Sequence, residues 1–87
     1  MSPVVIYTKE HCGYCRRAKA LFEERGVDFE EISVEEAPER RREMLEVTGR
    51  DTLPQVILAG RHIGGFEQLS AMDENGELDR LLGGAAR

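Results

Sequence analysis

Cysteine, positive charge and long apolar runs are all scarce in this sequence: it has two cysteines and only 12 basic against 17 acidic side chains. The net charge of −5 excludes a partner held by bulk attraction to nucleic acid or an anionic membrane, although local basic clusters remain compatible with it. No stretch approaches the roughly 18 apolar residues of a spanning helix. The start, Met1-Ser2-Pro3-Val4-Val5-Ile6-Tyr7, lacks a basic n-region and meets Lys9 too soon for a signal peptide, so the cytoplasm is the expected compartment. Both cysteines sit in Cys12-Gly13-Tyr14-Cys15, and a bridge closing so small a loop would stabilise the chain only slightly. In a small chain without a leader, that spacing points to redox or metal chemistry instead of a fold staple.

What is present fits one domain over residues 1–87, with 40% hydrophobic and 33% charged residues, the composition of a folded globule. A chain this short buries only roughly 60% of its unfolded surface, which leaves no room for a second core. Val4 to Thr8 is β-branched and aromatic and reads as a buried strand. From Gly13 the period becomes helical, with Cys15, Ala18 and Phe22 on one stripe, Leu21 beside it, and Gly26 as the stop. Val27 to Ile32 alternates apolar and charged residues and predicts a half-solvated strand. Pro38 suits the first turn of a second helix whose inner face is Met44, Leu45 and Thr48, ending at Gly49. Gln55 to Ala59 predicts a third strand, Gly60-Arg61 a hairpin turn, and His62-Ile63 the returning strand. Gly64-Gly65 opens a short helix around Leu69 and Met72, and Asn75-Gly76 separates it from a last helix with Leu78, Leu81 and Leu82. The expected class is α/β, a mixed sheet with helices on its faces.

Cys12 falls where the first strand ends and the first helix begins, a place where free amides and the helix dipole favour an anion. A thiol attacks disulfides only as thiolate, so this position suits a nucleophile, and Lys9 and Arg16 add positive potential. Cys15 lies one turn into the helix on its inner stripe, shielded and within reach of Cys12. That asymmetry assigns attack to Cys12 and resolution to Cys15. A zinc site is the competing reading, since His11 and His62 could complete a Cys2His2 set, but the usual second paired ligand motif is missing. Arg40-Arg41-Arg42, taken alone, reads as a solvated helix face.

Three segments together resemble the glutaredoxin family, in order and over almost the whole chain: Tyr7-Thr8-Lys9 ahead of Cys12-Gly13-Tyr14-Cys15, then Thr52-Leu53-Pro54-Gln55, then His62-Ile63-Gly64-Gly65. The resemblance implies a thioredoxin-like fold with a four-stranded mixed sheet, and glutathione as co-substrate with no tightly bound cofactor. The proline matching Pro54 follows a cis bond in the family, which would turn the Leu53 main chain toward the cysteinyl part of glutathione beside Thr52. The γ-glutamyl carboxylate would meet backbone amides of Phe66 and Glu67 after Gly65, at the start of a helix. The glycine carboxylate would fall near Lys9 and Arg41, and the Tyr14 ring would flank the sulfur.

The implied reaction is reduction of protein–glutathione mixed disulfides and protein disulfides by a monomer acting on glutathionylated or disulfide-bonded client proteins. Two departures from the family pattern stand out. Gly13 replaces a common proline, a change associated in part of the family with a [2Fe-2S] cluster held on Cys12 of two chains, so a cluster-carrying dimer is an alternative. Gln68 stands where relatives commonly place an aspartate opposite the γ-glutamyl ammonium, so glutathione would bind more weakly or in an altered pose. Thioredoxin itself is a poor match, because Trp-Cys-Gly-Pro-Cys is missing and the chain has no tryptophan. A glutaredoxin-like redoxin recycled by thioredoxin reductase is a further alternative, against which Gly64-Gly65, Lys9 and Arg41 argue.

Overall fold

Strand β1 (Val4–Thr8) is the centre of the molecule because its β-branched and aromatic side chains can be buried on both sides. The computed structural model describes residues 3–82. After β1 come α1 (Gly13–Glu24), β2 (Glu30–Ser33), α2 (Pro38–Thr48), β3 (Gln55–Leu58), β4 (Arg61–Gly64), α3 (Phe66–Glu74) and α4 (Glu77–Leu81). The four strands form one sheet in the order β2-β1-β3-β4. β1 runs parallel to β2, with Tyr7 opposite Ile32, and antiparallel to β3, with Ile6 opposite Val56; β4 returns antiparallel to β3. This is the mixed, helix-flanked sheet that the sequence predicts.

The two-residue period of β1 divides the core. Val4 and Ile6 point to one face and join Ala18 and Phe22 of α1, Val56 and Leu58 of β3, Leu69 of α3 and Leu78 of α4. Tyr7 points to the other face and packs with Ile32, Val34 and Met44 of α2. Phe22, fully buried, is the largest side chain of the first cluster. Truncating such a residue to alanine costs about 3–5 kcal/mol.

Two boundaries and one buried face differ from the sequence reading. The second strand starts at Glu30, not Val27, because Val27 is used to close α1: its N–H reaches the Phe22 carbonyl at 3.0 Å, and the Gly26 N–H reaches Glu23 at 3.0 Å. Gly26, at φ 68°, supplies the left-handed residue that this helix ending requires. Val27 and Phe29 are then pinned against the first core cluster, which mimics strand alternation without sheet pairing. The hairpin turn is Ala59-Gly60, with φ of 52° and 79°, and Arg61 already pairs with Leu58. Two positive φ values match the tight turn that suits a right-twisted hairpin, but alanine is a poor signal for it. On α2, Met44 is buried as expected, whereas Leu45, one step further round the helix, is 42% exposed.

Candidate active site

The chain leaves β1 through Lys9, Glu10 and His11 and enters α1 at Cys12, the N-cap residue, in extended conformation. His11 has a φ of 56°, a left-handed conformation unusual for a residue with a side chain. It lies at the turn that carries Cys12 to the helix start. Cys12 and Cys15 form a disulfide with their Cα atoms 5.2 Å apart. The Cys15 N–H points at the Cys12 sulfur, 3.2 Å away. The amide that helix geometry leaves without a helical acceptor is thus aimed at the atom that carries negative charge in the reduced state. Cys12 is half-buried, whereas Cys15 is 1% exposed.

Two recesses flank the dithiol. A groove of about 310 Å³ lies on the β3–β4 side, lined by Tyr14, Thr52, Leu53, Pro54, Gly65, Phe66, Glu67 and Gln68 together with Arg50. All eight of the first-named residues were singled out from sequence, and the fold gathers them although they come from α1, the loop before β3 and the start of α3. Leu53–Pro54 is cis, as the family resemblance implies. The loop approaches α3 so closely that a Cβ on Gly65 would lie 3.4 Å from the Pro54 carbonyl oxygen. The exposed Tyr14 ring sits 5.8 Å from that of Phe66, and the Arg17 guanidinium covers Phe66 at 4.6 Å and Tyr14 at 5.5 Å. Gln68 folds back so that its Oε1 accepts the Gly65 N–H at 2.8 Å.

The second recess, about 420 Å³, lies toward β2 and is bordered by Lys9, Arg16 and both cysteines. Its floor carries a polar cluster: the Thr8 hydroxyl donates to Glu31 Oε2 at 2.7 Å and the Lys19 ammonium to the same oxygen at 2.9 Å. Burial alone would push the Glu31 carboxyl up, but these bonds and the Lys19 charge hold it below its ordinary range. Arg41, the remaining predicted residue, lines neither recess; its Nε donates to Asp51 at 2.7 Å.

Three contributors escaped the sequence reading. Arg50, just past the end of α2, lines the groove, and Arg17 covers its two aromatic rings, but neither belongs to a motif. Gln55 is completely buried, and its amide donates to the Thr52 carbonyl at 2.9 Å and hydroxyl at 3.0 Å, while its Oε1 faces His62 Nε2 at 2.7 Å. The acceptor oxygen requires a proton on Nε2, so His62 is tied to the loop as a donor and is no metal ligand there. A buried polar side chain with all of its groups engaged is rigid, and this one anchors the Thr52–Pro54 loop to the hairpin.

A strand-to-helix dithiol with a half-buried Cys12 and a buried Cys15, beside a proline loop on a four-stranded sheet, defines a thiol–disulfide oxidoreductase of the thioredoxin fold. The glutaredoxin family model matches residues 4–63. Glutaredoxin 3 of Escherichia coli is 48% identical over 82 residues, covering 94% of this chain and 99% of its own length. A glutaredoxin of Pseudomonas aeruginosa is 46% identical over 82 residues, with 94% and 98% covered. Among solved structures, a buckwheat glutaredoxin–glutathione complex superposes with a TM-score of 0.87 at 31% identity, over 97% of this chain and 79% of that one. The chain belongs to the glutaredoxin family.

Among the described residues, no group of three or more His, Cys, Asp or Glu side chains is placed to hold a metal ion. A cluster bridging two chains would take one ligand, Cys12, from each and the rest from outside the protein. No described helix is long and apolar enough to cross a membrane.

Proposed function

We propose that this chain is a glutathione-dependent oxidoreductase that reduces glutathionylated and disulfide-bonded client proteins, working as a monomer in the cytoplasm. The observation that carries this reading is the asymmetry of the dithiol, with Cys12 half-buried under a helix-terminal amide and Cys15 1% exposed beneath it. The Cys12 thiolate attacks the glutathione sulfur of a mixed disulfide; that S–S bond breaks, and the client sulfur leaves as thiolate and takes up a proton. A second glutathione, as thiolate, attacks the glutathione sulfur now bound to Cys12, which releases glutathione disulfide and restores the Cys12 thiolate. With a protein disulfide, the Cys12 thiolate attacks one client sulfur; the client S–S bond breaks, the other client sulfur leaves as thiolate and takes up a proton, and Cys12 is joined to the first. Deprotonated Cys15 then attacks Cys12, releases the client's second thiol, and leaves the Cys12–Cys15 bridge, which two glutathiones reduce.

The groove suits the tripeptide. Leu53 offers main-chain pairing to the cysteinyl residue beside Thr52 and Pro54, Tyr14 flanks the sulfur, and the first-turn amides of Phe66 and Glu67 suit the γ-glutamyl carboxylate. The glycine carboxylate falls to the basic rim, with Arg50 in the groove, Lys9 beside the dithiol, and Arg41 once freed from Asp51. A coupled assay with glutathione, glutathione reductase and a small glutathione mixed disulfide tests the reading. Turnover supported by glutathione is expected. Turnover supported only by thioredoxin reductase would refute it.

A further inference from the structure

Gln68 is engaged in a way that decides what the α3 end of the groove can recognise. Its Oε1 accepts the Gly65 N–H at 2.8 Å. The same oxygen is pressed against the Gly64–Gly65 backbone so tightly that a Cβ on Gly64 would lie 2.9 Å from it. A backbone N–H can bond only to the oxygen of a side-chain amide, which fixes the amide's orientation. The oxygen is turned to the backbone, and the NH2 is the group Gln68 offers to the groove it lines. The neighbouring Phe66 and Glu67 amides, in the first turn of a nine-residue helix, are also donors without helical acceptors. Apart from the Glu67 side chain and the Pro54 carbonyl, whose oxygen is turned to Gly65, this end of the groove therefore presents donors. Glu67 is exposed, as Gln68 is, and a solvated pair with an ammonium group contributes little unless the carboxylate is held in place. Gln68 is held by its bond to Gly65, whereas no such bond holds Glu67 among the described residues.

We propose that this groove reads the γ-glutamyl end of its thiol ligand by the carboxylate alone and leaves the α-ammonium unread, so that it accepts tripeptide thiols whose amine is missing. The inference rests on the glutathione reading and narrows it. A site where the amides of Phe66 and Glu67 and the Gln68 NH2 dominate gains more from a carboxylate than from an ammonium, which needs an acceptor. Gln68 is thus a specificity-determining residue: as an amide it holds the helix cap and adds a donor, where a carboxylate of the same size would hold the cap and present an acceptor.

The test is single-turnover reaction of the reduced protein with mixed disulfides of one reporter thiol. The four partners are glutathione, glutaryl-Cys-Gly, which lacks the amine, 4-aminobutyryl-Cys-Gly, which lacks the carboxylate, and 2-mercaptoethanol. The glutaryl compound should react within about twofold of glutathione, and the 4-aminobutyryl compound about tenfold or more slowly. In Gln68→Glu, which keeps the Gly65 cap, the glutaryl compound should fall severalfold behind glutathione. An approximately tenfold preference of the unmodified protein for glutathione over the glutaryl compound would overturn the inference, as would an unchanged ratio in Gln68→Glu. So would loss of a preference for the amine in Glu67→Gln, which would assign the ammonium to Glu67. If the 2-mercaptoethanol disulfide reacts as fast as that of glutathione, the glutathione reading fails, and this inference with it.

Discussion

The two cysteines differ in solvent access more than in sequence context, and their roles follow from that. Cys12→Ser should abolish all turnover. Cys15→Ser should keep reduction of glutathione mixed disulfides and lose most reduction of protein disulfides, because only the second route passes through a resolving thiol. Equal loss of the first activity in both variants, measured side by side, would contradict the assignment. Gly64 offers a second prediction. Its φ of 123° is hostile to any side chain, and a Cβ there would meet Gln68 Oε1 at 2.9 Å and Cγ at 3.0 Å. Gly64→Ala should therefore cost about 1–3 kcal/mol in denaturant unfolding from backbone strain alone. It should also raise KM for glutathionylated substrate by displacing the cap of α3.

Between elements, β1 and α2 are joined by the Tyr7 hydroxyl, which donates to Glu43 Oε2 at 2.5 Å. Burial first, then this bond to a carboxylate, push the Tyr7 phenol up to about 12. An unfolded chain would lose that proton near pH 10, before the folded one does. The resulting stability is complete below about pH 10 and is lost as pH rises toward about 12. Tyr7→Phe should flatten the alkaline limb of a thermal-unfolding series, while at neutral pH it should cost about 1 kcal/mol for the lost hydrogen bond. The elements themselves were legible in the sequence wherever period and punctuation agreed: β1 from its β-branched run, α1 between Cys12 and Gly26, α2 between Pro38 and Gly49. The failures came where a residue served tertiary structure against its local signal. Val27 and Phe29 alternate like a strand but pack against the first core cluster without sheet pairing, Val27 closing α1, and Ala59 takes a turn position normally left to glycine or asparagine. The groove was legible through three short motifs; Arg50 was not, because its relevance depends on where α2 ends relative to the proline loop.

On the scale of the molecule, a chain of net charge −5 places Lys9, Arg16, Arg17 and Arg50 around its dithiol and groove. The recess toward β2 balances Lys9, Arg16 and Lys19 with Glu10, Glu31 and Glu36, whereas on the groove side Arg17 and Arg50 outnumber Glu67. Glutathione carries two carboxylates and one ammonium, so the groove side favours encounter with anionic disulfides. Arg50→Gln should raise KM for glutathionylated substrate severalfold at low ionic strength. Most of that difference should vanish near 1 M salt, where screening acts within about 3 Å; a salt-independent effect would point to a shape role for the side chain instead. The lack of tryptophan, together with the place of Tyr14, has an optical consequence. All ultraviolet emission must come from two tyrosines, and Tyr7, bonded to a carboxylate, is a poor emitter. The emission that remains therefore belongs to Tyr14, 58% exposed and next in the chain to Cys15 of the bridge, and a disulfide close to a tyrosine quenches its emission. Opening the bridge should brighten the protein, so its redox state can be followed by its own light, without a dye or a coupled enzyme.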